Sequence, residues 1–218
     1  MADLYAVARE LRLHDTPSVS DALDKLGIPG GLLGIKAVFS GCRVCGPAFT
    51  VRYIPCGSVK KNVGDFLDDV KPGQIVAIDN GGRTHCTVWG DLMAIVAKRN
   101  KVEATVIDGA CRDIPTIVKE QYPMFSKGTF MMTGKDRVQL DAVNVPVTLG
   151  GVQVCPDDLL LGDDSGVVLI PAGRAEEVLR VTKEIAEKEI AIEEAVRSGS
   201  SLREARAKTG YHTLQSRS

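Results

Sequence analysis

Two short apolar runs, each closed by aspartate, constrain the fold of this chain more than any other feature. "QIVAID" (residues 74–79) and "ATVID" (104–108) are too short for helices. Such runs read as strands buried on both faces, as in a parallel sheet. Between them lies "DLMAIVAKRN", which has helical character. Leu92, Ile95 and Val96 fall on one face at i, i+3 and i+4, and Lys98 and Arg99 suit the last turn. Strand, loop, helix and strand make a β-α-β crossover, which is right-handed in nearly every sheet that contains one.

That topology forces a convergence. The loop 80–90 leaves the carboxyl end of the first strand, so the helix starts at that edge with Asp91 at its N-terminus. The second strand returns to the same edge, and Arg112 and Asp113 follow it in "VIDGACRDIP". Ligands of open α/β sheets bind at this edge. The amides of Leu92 and Met93 lie at the positive end of the helix dipole and suit a carboxylate. Arg112 offers a planar fork to the same group or to an adjacent keto oxygen. Asp113 is a hard oxygen ligand of the kind that holds Mg²⁺ with waters. Gly81, Gly82, Gly90 and Gly109 allow close backbone approach. A plainer reading is equally open on spacing alone: Asp91 as an N-cap, Asp113 capping the next helix, and Arg112 paired with it.

The remaining segments extend an α/β pattern. "TPSVSDALDKLG" reads as a helix capped by Ser18 or Ser20 and stopped at Gly27. "GCRVCGPAFTVRYI" reads as a strand, "VGDFLDDV" as a short helix, and "DIPTIVKEQ" as another. "NGGRTHCTVWG" reads as a glycine-rich loop. From Pro123 onward the pattern changes: "PMFSKGTF" and "VPVTLGGVQVCPDDLLLGDDSGVVLIP" read as short strands separated by Gly, Pro and Asp turns. Asp163 and Asp164 in "GDDSG" read as turn residues. One long helix, "RAEEVLRVTKEIAEKEIAIEEAVRSG", then runs to Gly199, followed by a short helix and a polar tail. The expectation is an α/β domain with a βαβαβ middle and a strand-rich second half.

Composition removes several function classes. The net charge of -1 gives no support for a nucleic-acid partner or an anionic membrane. No apolar run approaches the ~20 residues of a membrane span, and the charged N-terminal stretch has no signal-peptide core. A soluble cytoplasmic protein is expected. The six cysteines then read as free thiols. Cys42 and Cys45 have CxxC spacing, but on a strand they point to opposite faces, with no second pair or nearby His to complete a zinc set.

The stretch "WGDLMAIVAKRNKVEATVIDGACRDIP" resembles the RraA-like family, which includes class II 4-hydroxy-4-methyl-2-oxoglutarate/4-carboxy-4-hydroxy-2-oxoadipate aldolases. The aldolase branch carries Asp, twenty residues, then Arg-Asp, matched here by Asp91, Arg112 and Asp113. "PSVSDALDKLG", "GPAFTVRY", "DNGG" and "GDDSGVVLIP" resemble family segments in the family's order, covering about residues 15–175. The resemblance implies one domain over residues 1–218, with a helical extension over about 174–218. It implies a swivelling β/β/α fold, phosphohistidine-domain-like, with a long C-terminal helix, assembled as trimers or hexamers with sites between protomers.

By the same resemblance, Asp113 binds Mg²⁺ or Mn²⁺, Arg112 binds a keto acid and stabilises an enolate, and Asp91 acts in proton transfer through a water. Gly90, Leu92 and Met93 hold the substrate carboxylate. The implied activity is a metal-dependent, pyruvate-forming aldolase with oxaloacetate decarboxylase activity. The alternative is a non-catalytic regulator of the kind that binds an RNA-degrading enzyme, and the acid at Asp91 favours the aldolase. A methyltransferase is disfavoured, because the loop after the first strand has no GxGxxG-type fingerprint. One departure stands out: where many family members carry an acid three positions after the motif Asp, this chain has Thr116, preceded by Pro115. Arg83 and His85 sit in the glycine-rich loop expected to border the pocket. Trp89 reads as a packing anchor. Gly109 and Ala110 read as small residues that let a substrate lie close.

Overall fold

The computed structural model describes residues 3–58 and 63–209. In chain order its elements are α1 (Leu4–Leu11), α2 (Thr16–Lys25), β1 (Lys36–Ala37), β2 (Val44–Pro55), a 3-10 turn (Phe66–Asp69), β3 (Ile75–Thr87), α3 (Asp91–Arg99), β4 (Ala104–Cys111), α4 (Ile114–Glu120), β5 (Met124–Thr129), β6 (Val138–Val143), β7 (Val147–Leu149), β8 (Val152–Val154), β9 (Leu159–Asp163), β10 (Gly166–Ile170), a second 3-10 turn (Ala172–Arg174), α5 (Ala175–Arg197) and α6 (Leu202–Thr209). The polar tail expected beyond residue 209 lies outside the described residues.

The main sheet has the order β1-β5-β4-β3-β2-β9-β10, and β6 also pairs with β2. Its centre, β2 to β5, is parallel. β2 is the strand on which the architecture turns. Its first residues, Val44 to Pro47, pair antiparallel with β9; Ala48 to Arg52 pair parallel with β3; its last residues pair antiparallel with β6.

Both faces of the parallel centre are covered. Val76, Ile78 and Ile107 pack beneath α3 and α4 with Trp89, Ile117 and Tyr122. Ile75, Ala77 and Val106 face the other way, toward Leu149 and Val154 of the β7–β8 hairpin. This is why "QIVAID" and "ATVID" carry no polar alternation. A further core lies where α1, α2 and α5 cover β9 and β10, with Leu11, Leu23, Leu161, Ile170 and Val178 buried at its centre. No described helix is long and apolar enough to cross a membrane.

Several expectations are corrected. The stretch 80–90 is mostly strand rather than loop: β3 runs to Thr87, with breaks in register after Asp79 and after Arg83. Gly81 and Gly82, at φ 59° and 70°, accommodate the first break. Bulges of this kind erase the period-2 signal by which a strand is recognised. The apolar face assigned to α3 holds only in part: Val96 packs against the core. Leu92 and Ile95 are 73% and 43% exposed, while Ala94 and Ala97 meet the core. Small side chains at i, i+3 let the helix lie close to the sheet. Helix α2 is capped by Asp15, whose carboxylate accepts the Ser18 amide at 2.9 Å, rather than by Ser18 or Ser20. Its stop at Gly27 (φ 67°) is as expected. Strand β6 had no expectation attached to it.

The CxxC pair is divided between two cores, Cys42 beneath the β7–β8 hairpin and Cys45 beneath the helices. Both thiols are free. Burial pushes Cys45 up to about 12, so it stays a protonated thiol in neutral solution.

Asp163 does more than turn the chain. Its carboxylate accepts Thr16 N at 2.8 Å, Thr16 Oγ1 at 2.7 Å and Ser165 N at 2.8 Å, tying the start of α2 to the β9–β10 turn. Burial raises its pKa, but these hydrogen bonds outweigh burial and hold it below the ordinary carboxylate range. Glu189 on α5 is the opposite case. Burial, helped by Asp21 and Asp15, raises its pKa, against the hydrogen bond from Ser18.

The two residues give opposite pH signatures. A depressed folded pKa contributes stability above the unfolded value that is lost as pH falls through the folded one. Asp163→Asn should therefore cost about 1–3 kcal/mol at pH 7, with the gap to wild type closing in strong acid. A raised folded pKa stabilises at low pH and loses that contribution as pH rises. Glu189→Gln should raise Tm at pH 7 and change it little below pH 4.5. Thermal melts across pH check both.

Candidate active site

Asp91, Arg112 and Asp113 meet at the carboxyl edge of β3 and β4. Gly90 occupies the N-cap position of α3 and has no side chain with which to cap it. The missing acceptor comes from another element: Asp113 Oδ2 accepts the Asp91 amide at 3.1 Å. The same carboxylate oxygen lies 3.3 Å from Arg112 Nε. Arg112 is held in turn through its backbone amide, which donates to Trp89 O at 3.1 Å. The two chain segments are therefore bound to each other through both backbone and side chains.

Asp113 adopts the left-handed conformation, φ 61° and ψ 39°, that only Gly, Asn and Asp visit readily. It holds the N-cap position of α4 but makes no side-chain cap bond there. Its carboxylate is turned toward α3 instead, so the capping role left open by the sequence applies to the wrong helix. Asp91 is the first residue of α3 rather than its cap, and its Oδ1 accepts the Leu92 amide at 2.7 Å. That amide, expected to be available to a ligand, is held by the protein's own carboxylate.

Gly90 is required by contact rather than by its backbone angles. A Cβ there would lie 2.6 Å from Asp113 Oδ2 and 3.3 Å from Arg112 Nε. Two cavities flank this cluster. The inner one, about 190 Å³, is bounded by Thr87, Trp89, Gly90, Asp91, Leu92, Met93 and Arg112, with Val63, Val88, Thr133 and Gly134. The outer one, about 390 Å³, is bounded by Arg112, Asp113, Ile114, Pro115, Thr129, Phe130 and Met131. Arg112 belongs to both.

Other expected site residues fall elsewhere. Arg83 donates to Asn80 O at 2.7 Å, His85 is exposed, and neither bounds these cavities. Ala110 is fully buried and Gly109 packs against Asn80 and Arg83, so neither lets a ligand approach. Trp89 is an anchor, buried and stacked on Tyr122 with centroids 6.1 Å apart, and it also forms part of the inner wall. Phe130 and Met131 were not anticipated. The pairing of Cys111 with Thr129 on β5 brings them beside Arg112, a relation visible only once the strand order is known.

The donor set can be tested against a metal. Among the described residues no three His, Cys, Asp or Glu side chains converge, so a zinc-type cage has no ligands here. One half-exposed carboxylate, with a second acid at the adjoining helix start, fits a hard cation that keeps most of its waters, such as Mg²⁺ or Mn²⁺.

The Gly90 contact yields a cycle. Gly90→Ala should destabilise the fold by about 1–3 kcal/mol through overpacking. The cost should shrink in an Asp113→Ala background, where the clashing oxygen is gone. Denaturant melts of the four proteins measure it; additive costs would mean that the two residues do not act on each other.

Comparison with known proteins places the chain. A model of the RraA-like family, described as Aldolase/RraA, matches residues 16–169. A crystal structure of an uncharacterized protein from Pseudomonas syringae pv. tomato has 44% identity and a TM-score of 0.85, covering 92% of this chain and 96% of that one. Protein DlpA of Legionella pneumophila is 40% identical over 88% of this chain, which spans only 32% of DlpA's own length. A Halalkalibacterium halodurans protein, provisionally named a 4-hydroxy-4-methyl-2-oxoglutarate aldolase, is 33% identical over 80% of each chain. The chain belongs to the RraA-like family.

Proposed function

We propose that the protein is a divalent-metal-dependent carbon–carbon lyase that releases pyruvate from a 4-hydroxy-2-oxo acid, with oxaloacetate decarboxylation as a second activity of the same site. The observation that carries this reading is the bond between Asp113 Oδ2 and the Asp91 amide, with Arg112 3.3 Å away. It joins a metal-type carboxylate, a guanidinium and a helix N-terminus where two cavities meet at Arg112. The resemblance of the chain to a protein provisionally named as such an aldolase supports the same chemistry.

Each residue has a physical task. The amides at the start of α3 take the C1 carboxylate, favoured by the helix dipole. In doing so the carboxylate replaces Asp91 Oδ1 on the Leu92 amide, which frees Asp91 to hold a water. Arg112 directs its fork at the 2-keto oxygen, where negative charge accumulates. Asp113, with Asp91 nearby, would hold Mg²⁺ or Mn²⁺, which when bound supplies further stabilisation of that charge. The C4 hydroxyl gives its proton to the water held by Asp91, the C3–C4 bond breaks with formation of the C4 carbonyl, and its electron pair passes into the keto group to give pyruvate enolate. Water held by Asp91 then protonates C3. Oxaloacetate reaches the same enolate by losing CO₂, so one constellation serves both reactions. The assembly as a trimer or hexamer and the cytoplasmic setting belong to this proposal as well.

Pyruvate release from oxaloacetate and from 4-hydroxy-4-methyl-2-oxoglutarate, with Mg²⁺ and with a chelator, tests the reading. Arg112→Ala should lower kcat/KM about 10²–10³-fold, and Asp113→Ala should bring turnover to the level of the chelated enzyme. Turnover indifferent to chelation would overturn the metal-dependent mechanism. Absence of turnover with both substrates would point to a binding role for the site.

A further inference from the structure

The start of α3 is already engaged by the protein's own groups. Asp113 Oδ2 accepts the Asp91 amide at 3.1 Å, and Asp91 Oδ1 accepts the Leu92 amide at 2.7 Å. The Ala94 amide donates to Gly90 O at 3.1 Å. A carboxylate that takes the Leu92 amide must displace the acceptor that holds it. Of the three acceptors, two are fixed. The Gly90 carbonyl belongs to the helix backbone. Asp113 is held by its left-handed backbone, by Arg112 Nε at 3.3 Å and by the close packing of Gly90 against it. The Asp91 side chain is different, because it can leave by rotation about χ1 with no change in the backbone. It is also a carboxylate at the positive end of the helix dipole, the position a ligand carboxylate would take. As folded, Asp91 therefore stands in for the ligand.

We propose that Asp91 is a substrate-released latch: it stays on the Leu92 amide until the C1 carboxylate of a 2-oxo acid takes that amide over, and only then is Asp91 free to hold the water of proton transfer. This rests on the pyruvate-forming reading above and adds an order of events to it. Seating of the substrate and presentation of the proton-transfer group become one exchange. A ketone without a neighbouring carboxylate leaves Asp91 where it is, so the site selects 2-oxo acids in turnover as well as in binding. The device also weakens ligand binding. The substrate competes with a group tethered one residue away, whose effective concentration is high.

The test is the affinity of the full chain for pyruvate at saturating Mg²⁺, measured by calorimetry beside oxaloacetate turnover. Asp91→Ala removes the internal competitor. It should tighten pyruvate about tenfold, the lower end of what a hydrogen bond to a charged group supplies, while oxaloacetate turnover falls. Asp91→Asn keeps a neutral acceptor for the Leu92 amide and should tighten pyruvate less than Asp91→Ala does. Leu92→Pro removes the contested amide itself. Proline is accepted at the second helical position in this protein, as Pro17 in α2 and Pro115 in α4 show, and the Leu92 side chain is exposed. In that background Asp91→Ala should leave pyruvate affinity unchanged, since both carboxylates have lost the donor they compete for. If the alanine variant does not fold, Asp91→Asn in the two backgrounds carries the same comparison. Equal tightening by Ala and Asn overturns the latch, because loss of charge alone then accounts for it. So does an Asp91→Ala protein that binds pyruvate no more tightly than wild type, or tightening that persists beside Leu92→Pro. In each of these cases, wild-type release of pyruvate from oxaloacetate leaves the pyruvate-forming reading standing. A wild type that neither binds pyruvate nor turns over oxaloacetate overturns both.

Discussion

The site depends on one hydrogen bond between two segments of chain: a carboxylate at the end of one strand serves as the cap that the preceding helix lacks. Helix α3 begins at a glycine and cannot satisfy its own first amide. Asp113 reaches across to do so. This fixes the orientation of the helix dipole relative to Arg112 and sets the width of the space between them. It also explains why Asp113 tolerates a left-handed backbone: from an extended or right-handed residue at this point, the carboxylate would be aimed elsewhere.

The arrangement has an internal economy of charge. Asp113 lies 3.3 Å from Arg112 Nε and accepts the Asp91 amide, while the Asp91 carboxylate accepts the Leu92 amide, so each charged group already has a partner. The site is therefore preorganised without a ligand. On the proposed reading, an incoming carboxylate would exchange for one that is already there, so little new charge would have to be desolvated. The nearest comparable feature elsewhere is Asp163, which gathers three donors and simply joins a helix to a turn. The difference lies in surroundings: Asp163 is buried among its donors, whereas Asp113 opens onto a cavity.

Much of this was legible in the sequence. The buried strands, the crossover and the meeting of Asp91 with Arg112 and Asp113 follow from apolar runs and from the rules of parallel sheets. What escaped has physical causes. The bulged half of β3 was hidden because register breaks destroy alternation, and glycines that signal a loop can equally serve a bulge. The buried face of α3 was read only in part because alanines pack at its centre beside Val96, while Leu92 and Ile95 face outward. The capping role of Asp113 and the wall formed by Phe130 and Met131 depend on which strands are neighbours, and no local pattern encodes that.

Strand β2 carries a last implication, for the order in which the molecule can be made. Its first four residues pair only with β9, a strand that the chain reaches at Leu159. During synthesis, the parallel centre and the whole of the Asp91–Arg112–Asp113 cluster emerge while that end of β2 still has an open edge. Closing it requires a long loop and is intrinsically slow. A nascent or truncated chain would thus carry Asp91, Arg112 and Asp113 in sequence but present an unpaired, apolar strand edge, the kind that recruits other chains. The N-terminal helices that pack on β9 and β10, though first to be made, must wait for nearly the last strands to find their seat.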